Sequence, residues 1–212
     1  MDIVLDETEV RILGCLIEKE MTTPEYYPLS LNSLTNACNQ KSNRNPMTSY
    51  DETVVSDGLD RLLEKGLARK SYTAGSRVPK YLHTVLDKFD LSGQETAILC
   101  ELMLRGPQTL GELRTRADRM SSFGSLEEVE KKLEGLLEHN PALALKLPRE
   151  TGRKECRYMH LFSGSSIEVF SAGSATRETP QERITRLEEE TARLKGELDE
   201  LKQAFAEFKS QF

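Results

Sequence analysis

The chain contains no tryptophan, only 6% aromatic residues and three histidines in 212 residues, which does not suit a β-sandwich built round aromatic layers. Nor is there an apolar run of the ~18 residues that a membrane helix needs. The opening stretch Met1 to Asp6 lacks the basic and apolar regions of a signal peptide, so a cytoplasmic protein is expected. The four cysteines, Cys15, Cys38, Cys100 and Cys156, are far apart and form no CxxC pair. Neither a zinc knuckle nor a thioredoxin-like site is signalled, and Cys15 and Cys100 fall in apolar helical stretches as small hydrophobes. No glycine-rich phosphate loop follows a strand. His83, His139 and His160 lie far from any nucleophile motif. An enzyme, a cofactor and a metal are therefore not expected. The formal charge of −6 argues against a protein that coats nucleic acid indiscriminately, but it leaves room for a local basic patch.

What the chain does have is 37% hydrophobic and 30% charged residues, arranged with helical periodicity. Val10, Leu13, Leu16 and Ile17 define an amphipathic helix over residues 7 to 20, broken at Thr22 to Pro24. Ser30 caps a short helix to about Gln40, with Leu31, Leu34, Ala37 and Cys38 inward. Ser49 or Asp51 starts a third, with Val54, Val55, Leu59, Leu62 and Leu63 inward and Gly66 at its C′ position. Two β-prone runs follow, residues 67 to 72 and 80 to 85, round a loop holding Gly75 and Pro79. Three helices and then a hairpin is the order of a winged helix.

The order then repeats. Helices are expected over Ser92 to Leu104, Thr109 to about Ala117 and Ser125 to His139, and strands over 142 to 147 and 156 to 162. Glu9, Ile12, Leu13 and Leu16 match Glu95, Ile98, Leu99 and Leu102 at one constant offset. Leu59, Leu62, Leu63 and Glu64 match Leu133, Leu136, Leu137 and Glu138 at a smaller one, as a shorter turn in the second copy would produce. The expected organisation is mainly α with small β-hairpins (α+β). Winged-helix domains occupy residues 1–88 and 89–162, a Ser/Gly/Ala/Thr-rich linker 163–180 and a coiled-coil helix 181–212.

In that last helix Ile184, Thr191, Leu198, Phe205 and Phe212 fall at heptad position a, and Leu187, Leu194, Leu201 and Phe208 at d. Glu190 and Glu197 at g face Lys195 and Lys202 at e in a parallel homodimer. Exposed pairs of this kind contribute about 0.3 to 0.5 kcal/mol each, so the apolar seam supplies stability and the charges set orientation. The alternative is a single helix of about 43 Å laid back on the wings of its own chain.

Basic residues collect in two places. From Gly66 to His83 the first wing carries Arg69, Lys70, Arg77 and Lys80 and no acidic residue. Before the third helix, Lys41, Asn43, Arg44 and Asn45 offer donors where a helix N-terminus meets phosphate. The second copy has a weaker counterpart in Arg114, Arg116 and Arg119, and in Lys146, Arg149, Arg153, Lys154 and Arg157. Opposing this, the third helix carries Asp51, Glu52, Asp57, Asp60 and Glu64, which phosphate repels. Its counterpart carries Glu127, Glu128, Glu130, Glu134 and Glu138.

The segment from Leu13 to Pro46, LGCLIEKEMTTPEYYPLSLNSLTNACNQKSNRNP, resembles the hallmark segment of the bacterial YceH family, and the likeness extends to about Phe162. The resemblance implies a tandem winged-helix fold in a bacterial cytoplasm and no assigned activity. Within it, the amides and cations of Thr35 to Pro46 read in two ways: as groups reaching bases and phosphates, or as partners for backbone groups in an irregular turn. The expectation is a regulator-like protein that binds duplex DNA as a dimer. Lys41, Asn45, Arg69, Lys70, Arg77 and Lys80 contact phosphate, and Asn43 and Arg44 reach bases. The alternative is an adaptor that docks another protein on its acidic third helices.

The seam formed by Ile184, Leu187, Leu194, Leu198, Leu201, Phe205 and Phe208 makes a direct prediction. Polar residues at Leu194 and Leu198 should halve the mass measured by light scattering; an unchanged mass rules that seam out.

Overall fold

The computed structural model describes residues 3–72, 78–149, 152, 153 and 155–164, together with Thr191 and Lys195. The chain is mainly helical with two small antiparallel hairpins. In order these are α1 (Glu7–Thr22), α2 (Leu31–Cys38), α3 (Glu52–Glu64), β1 (Ala68–Ser71), β2 (Lys80–His83), α4 (Val85–Phe89), α5 (Gly93–Arg105), α6 (Leu110–Ala117), α7 (Leu126–Glu138), β3 (Ala144–Lys146) and β4 (Tyr158–His160).

Helix starts follow side chains that accept hydrogen bonds from the otherwise unpaired first-turn amides. Ser30, Asp51, Ser92, Thr109 and Ser125 cap α2, α3, α5, α6 and α7, so Asp51 and not Ser49 begins α3. Asp6 with Glu9, Ser92 with Glu95 and Thr109 with Glu112 form reciprocal capping boxes. Gly66 follows α3 with φ +62°, the left-handed geometry expected at that stop.

Two expectations change. Val54, expected inward on α3, is 38% exposed. The second strand does not run on to Val85: it stops at His83, whose Nδ1 accepts from the Val85 amide at 3.2 Å. Val85 and Phe89 then bury one face of the short α4, which ends in left-handed Asp90.

The two hairpins are paired alike. Ala68 to Ser71 pair with His83 to Lys80, and Ala144 to Lys146 with His160 to Tyr158. In each copy a single residue ahead of the second helix bridges the hairpin, Leu29 to Tyr81 and Gln108 to Tyr158. Each hairpin therefore gains a rudimentary third strand. Tyr27 packs on this sheet: its hydroxyl accepts from the His83 amide at 2.8 Å.

At the centre lie α1 and α5. A helix with one apolar stripe buries that stripe alone, but α1 is enclosed from Glu9 to Glu18 and α5 from Thr96 to Leu104. Each has its own copy's helices on one side and the other long helix on the opposite side. They approach closely at Gly14, whose carbonyl accepts from Cys100 Sγ at 3.2 Å. One hydrophobic core thus runs through both copies, within a compact unit spanning Met1–Ser165. A second unit spans Ser166–Phe212; of it Thr191 and Lys195 are described, both helical and exposed. The linker expected at 163–180 lies outside the described residues from Ser165 on, as do the dimerisation residues Ile184, Leu187, Leu194, Leu198, Leu201, Phe205 and Phe208.

A Cβ at position 14 would stand 2.8 Å from Leu104 Cδ2 and 3.3 Å from Met103 Cβ. Gly14→Val should therefore lower stability by about 1 to 3 kcal/mol. In urea this reads as a lower midpoint at unchanged slope; a wild-type midpoint would mean that α1 and α5 do not meet there.

Candidate nucleic-acid interface

The connection between α2 and α3, residues 39–51, carries half of the residues expected at a nucleic-acid surface, and it is built from the inside. Asn39 closes it: its Nδ2 donates to the Tyr50 carbonyl at 2.7 Å and its Oδ1 accepts from the Tyr50 amide at 2.8 Å. Thr48 Oγ1 donates to the Cys38 carbonyl at 3.0 Å.

Arg44 corrects the sequence expectation. Its side chain is fully enclosed and its guanidinium is saturated. Nη1 donates to Glu18 Oε1 at 3.0 Å and to the Asn43 carbonyl at 2.9 Å. Nη2 pairs with Glu18 Oε2 and reaches the Ala37 carbonyl at 2.9 Å and Gln40 Oε1 at 3.1 Å; Nε donates to the same carbonyl at 3.2 Å. A group with its donors committed inside the protein cannot reach a base. Asn43 is committed as well: it sits at φ +58°, which asparagine tolerates, and its Oδ1 accepts from Arg105. Asn45 donates through its amide to the Leu104 carbonyl at 2.9 Å, although the residue is exposed. Lys41 is exposed.

These contacts cap the C-terminal end of α5 with a loop from the other copy, a junction that Arg11 completes by donating to the Pro46 carbonyl at 2.6 Å. Beneath it lies a buried ion network. Arg119 reaches Glu18 Oε1 at 2.7 Å and Glu101 Oε1 at 2.7 Å, and Arg105 Nε stands 3.1 Å from Glu101 Oε2. Burial by itself would raise the Glu18 carboxyl; the hydrogen bond and charge of Arg44, with the charge of Arg119, more than reverse this and hold it below the ordinary range. The amide-rich run therefore serves the junction between copies. Sequence alone had no signal for this, because Glu18 reads as one more polar position at the end of α1.

The wing residues fare differently. Strand alternation and the register Arg69 to Leu82 and Ser71 to Lys80 put Arg69 and Lys80 on one face of the first hairpin. The other face carries Ala68, Tyr81 and His83, all buried. Lys70 shares that second face, and its Nζ stands 3.9 Å from Asp60 Oδ1. Arg77 lies outside the described residues.

Lys80 also lines a groove of about 520 Å³ with Ser30, Leu31, Asn32, Glu52 and Val78, in which Glu52 accepts from Asn32 Nδ2 at 3.1 Å. On α3, Arg61 and Lys65 turn toward α1: Arg61 meets Asp6 at 2.8 Å and Lys65 meets Glu9 at 2.6 Å. That leaves Glu52, Asp57, Asp60 and Glu64 as the exposed charges of the helix.

Among the later helices and hairpin, several cations are engaged by neighbouring side chains. Arg116 donates to Gln108 at 2.7 Å, Arg157 pairs with Glu112 at 3.0 Å and Lys146 lies over the Tyr158 ring. Lys154 lies outside the described residues.

Fold and site together define a mainly helical protein with two small antiparallel hairpins, in which two helix-and-hairpin segments are joined by a central helix pair and a buried ion network. A family model described as a protein of unknown function, DUF480, matches residues 5–153. The chain is 52% identical to a UPF0502 protein of Pelobacter propionicus with all of both chains covered, and 45% identical to one of Photobacterium profundum, covering 96% of this chain and 97% of that one. The chain belongs to this family of uncharacterised bacterial proteins. No helix among the described residues is long and apolar enough to cross a membrane.

Removing one partner of a buried ion pair strands the other, so Arg44→Ala should cost about 3 to 5 kcal/mol in chemical denaturation. Adding Glu18→Gln to it should recover part of the loss. Because the folded Glu18 carboxyl is held low, its contribution is present at neutral pH and disappears as pH falls through that lowered value. A single Arg44→Ala variant as stable as wild type would place Glu18 in solvent.

Proposed function

We propose that the chain is a tandem winged-helix protein of the YceH type, with modules at 1–88 and 89–162. A linker at 163–180 leads to a coiled-coil helix at 181–212 that pairs two copies. Its function on this reading is non-catalytic binding of duplex DNA through the first module. The fold reading is supported by the order of three helices and a hairpin in each copy, and by the single bridging residue that supplies a third strand.

One observation carries the DNA reading: Arg69 and Lys80 share the outer face of the first hairpin, beside the opening turn of α2. Cations there meet phosphate, and the first-turn amides of α2 add donors of the same polarity. Lys41 and Asn45 on the connecting loop extend the surface, and Lys70 contributes when it leaves Asp60. The exposed carboxylates of α3 disfavour insertion of that helix in the major groove, and Asn43 and Arg44 are withdrawn from base reading. Contacts to the sugar-phosphate backbone therefore dominate, and discrimination between sequences is weak at each single module. Pairing two copies multiplies the contacts on one duplex.

Fluorescence anisotropy of a labelled random duplex across a salt series tests this. Log affinity should fall with log salt, and Arg69→Ala with Lys80→Ala should make the slope shallower by about 1.8, close to 0.9 per lost phosphate contact. Absence of binding at low salt, or an unchanged slope in the variant, sinks the assignment and favours the adaptor alternative.

A further inference from the structure

The groove beside Lys80 has a counterpart in the second copy. It lies between the opening turns of α6 and α7 and the second hairpin, and encloses about 250 Å³. The position relative to the flanking helices is the same, but the charge balance differs: one carboxylate, Glu52, and one cation, Lys80, line the first groove, whereas two carboxylates and one cation line the second. Leu110, Leu126 and Tyr158 make an apolar floor, and Leu126 is 39% exposed, an unusual place for a large aliphatic side chain at the first position of a helix. Glu130 and Glu155 stand at the rim with Lys146. That lysine is turned onto Tyr158, its Nζ 5.7 Å from the ring centroid. From Glu130 the exposed acidic face continues along α7 through Glu134 and Glu138, with Lys131 among them; Glu127 lies on the first turn with Arg114 near it.

Phosphate is excluded from such a rim by charge, while a cation is drawn to it. The volume fits one apolar side chain and not a flat interface. We propose that this groove docks a basic segment of a partner protein, with one aliphatic or aromatic side chain seated between Leu110, Leu126 and Tyr158 and flanking arginines or lysines facing Glu130 and Glu155. Association of this kind draws its affinity from a buried anchor and its orientation and encounter rate from the charged rim. It stands independently of the DNA reading: the two grooves occupy corresponding places, but the lining of the second alone carries an excess of carboxylates.

The test uses the full chain and a fluorescein-labelled peptide with one leucine between paired arginines. Two comparison peptides carry glutamates for the arginines or alanine for the leucine. The arginine-leucine peptide should bind, the other two should bind much more weakly, and amide chemical shifts should move at Leu110, Leu126 and Tyr158. Glu130→Lys with Glu155→Lys should weaken binding by about tenfold or more, and Leu126→Ser should weaken it without changing the salt dependence. The proposal is overturned if the arginine-leucine peptide fails to bind at low salt, if either comparison peptide binds equally well, or if the charge-reversed variant binds as wild type does. It is also overturned if shifts appear at Ser30 and Lys80 instead, or if random duplex DNA displaces the peptide. Loss of DNA binding with peptide binding intact would remove the DNA reading alone.

Discussion

A carboxylate taken out of water must be met by cations or it will not stay ionised, and Glu18 imposes that constraint on the whole molecule. It sits near the end of α1 with 1% of its side chain exposed. Arg44 answers it from the first copy's loop and Arg119 from the second copy. Because Arg119 also pairs with Glu101 on α5, the two central helices are tied through shared charges as well as through apolar packing. Buried ion networks add little net stability over a well-packed apolar junction. What they add is geometry: the loop from Asn43 to Pro46 has one way to satisfy Arg11, Arg44 and Arg105 against the end of α5.

That geometry accounts for the main difference between the two helix-and-hairpin segments. Caps, helix lengths and hairpin registers correspond, whereas the connections between second and third helices do not: residues 39–51 in one copy and 118–125 in the other. The longer connection supplies the junction. Its many amides and cations, which suggest an exposed binding loop when read as composition, are drawn inward by Glu18 and by the exposed carbonyls that end α5.

Freed of that role, the surfaces that remain differ between copies. The outer face of the first hairpin presents Arg69 and Lys80, while in the second copy Arg116, Arg157 and Lys146 are engaged by neighbours and the corresponding groove is rimmed by carboxylates. Corresponding positions of the two segments thus present different charge balances.

The helices were legible in the sequence because capping residues and apolar periodicity are local signals: Ser30, Ser92, Thr109 and Ser125 each mark a start from chemistry within one turn. The two hairpins were legible for the same reason. The destination of Arg44 was not, since its partner Glu18 lies 26 residues away and nothing in either neighbourhood distinguishes a buried carboxylate from a solvated one. The full enclosure of α1 was hidden too, because its second apolar face makes sense only against α5. Sequence by itself determined which segments became helix or hairpin and which cations existed. Tertiary structure decided which cations remain on the surface, because burial and ion pairing depend on residues distant in the chain that only folding brings together.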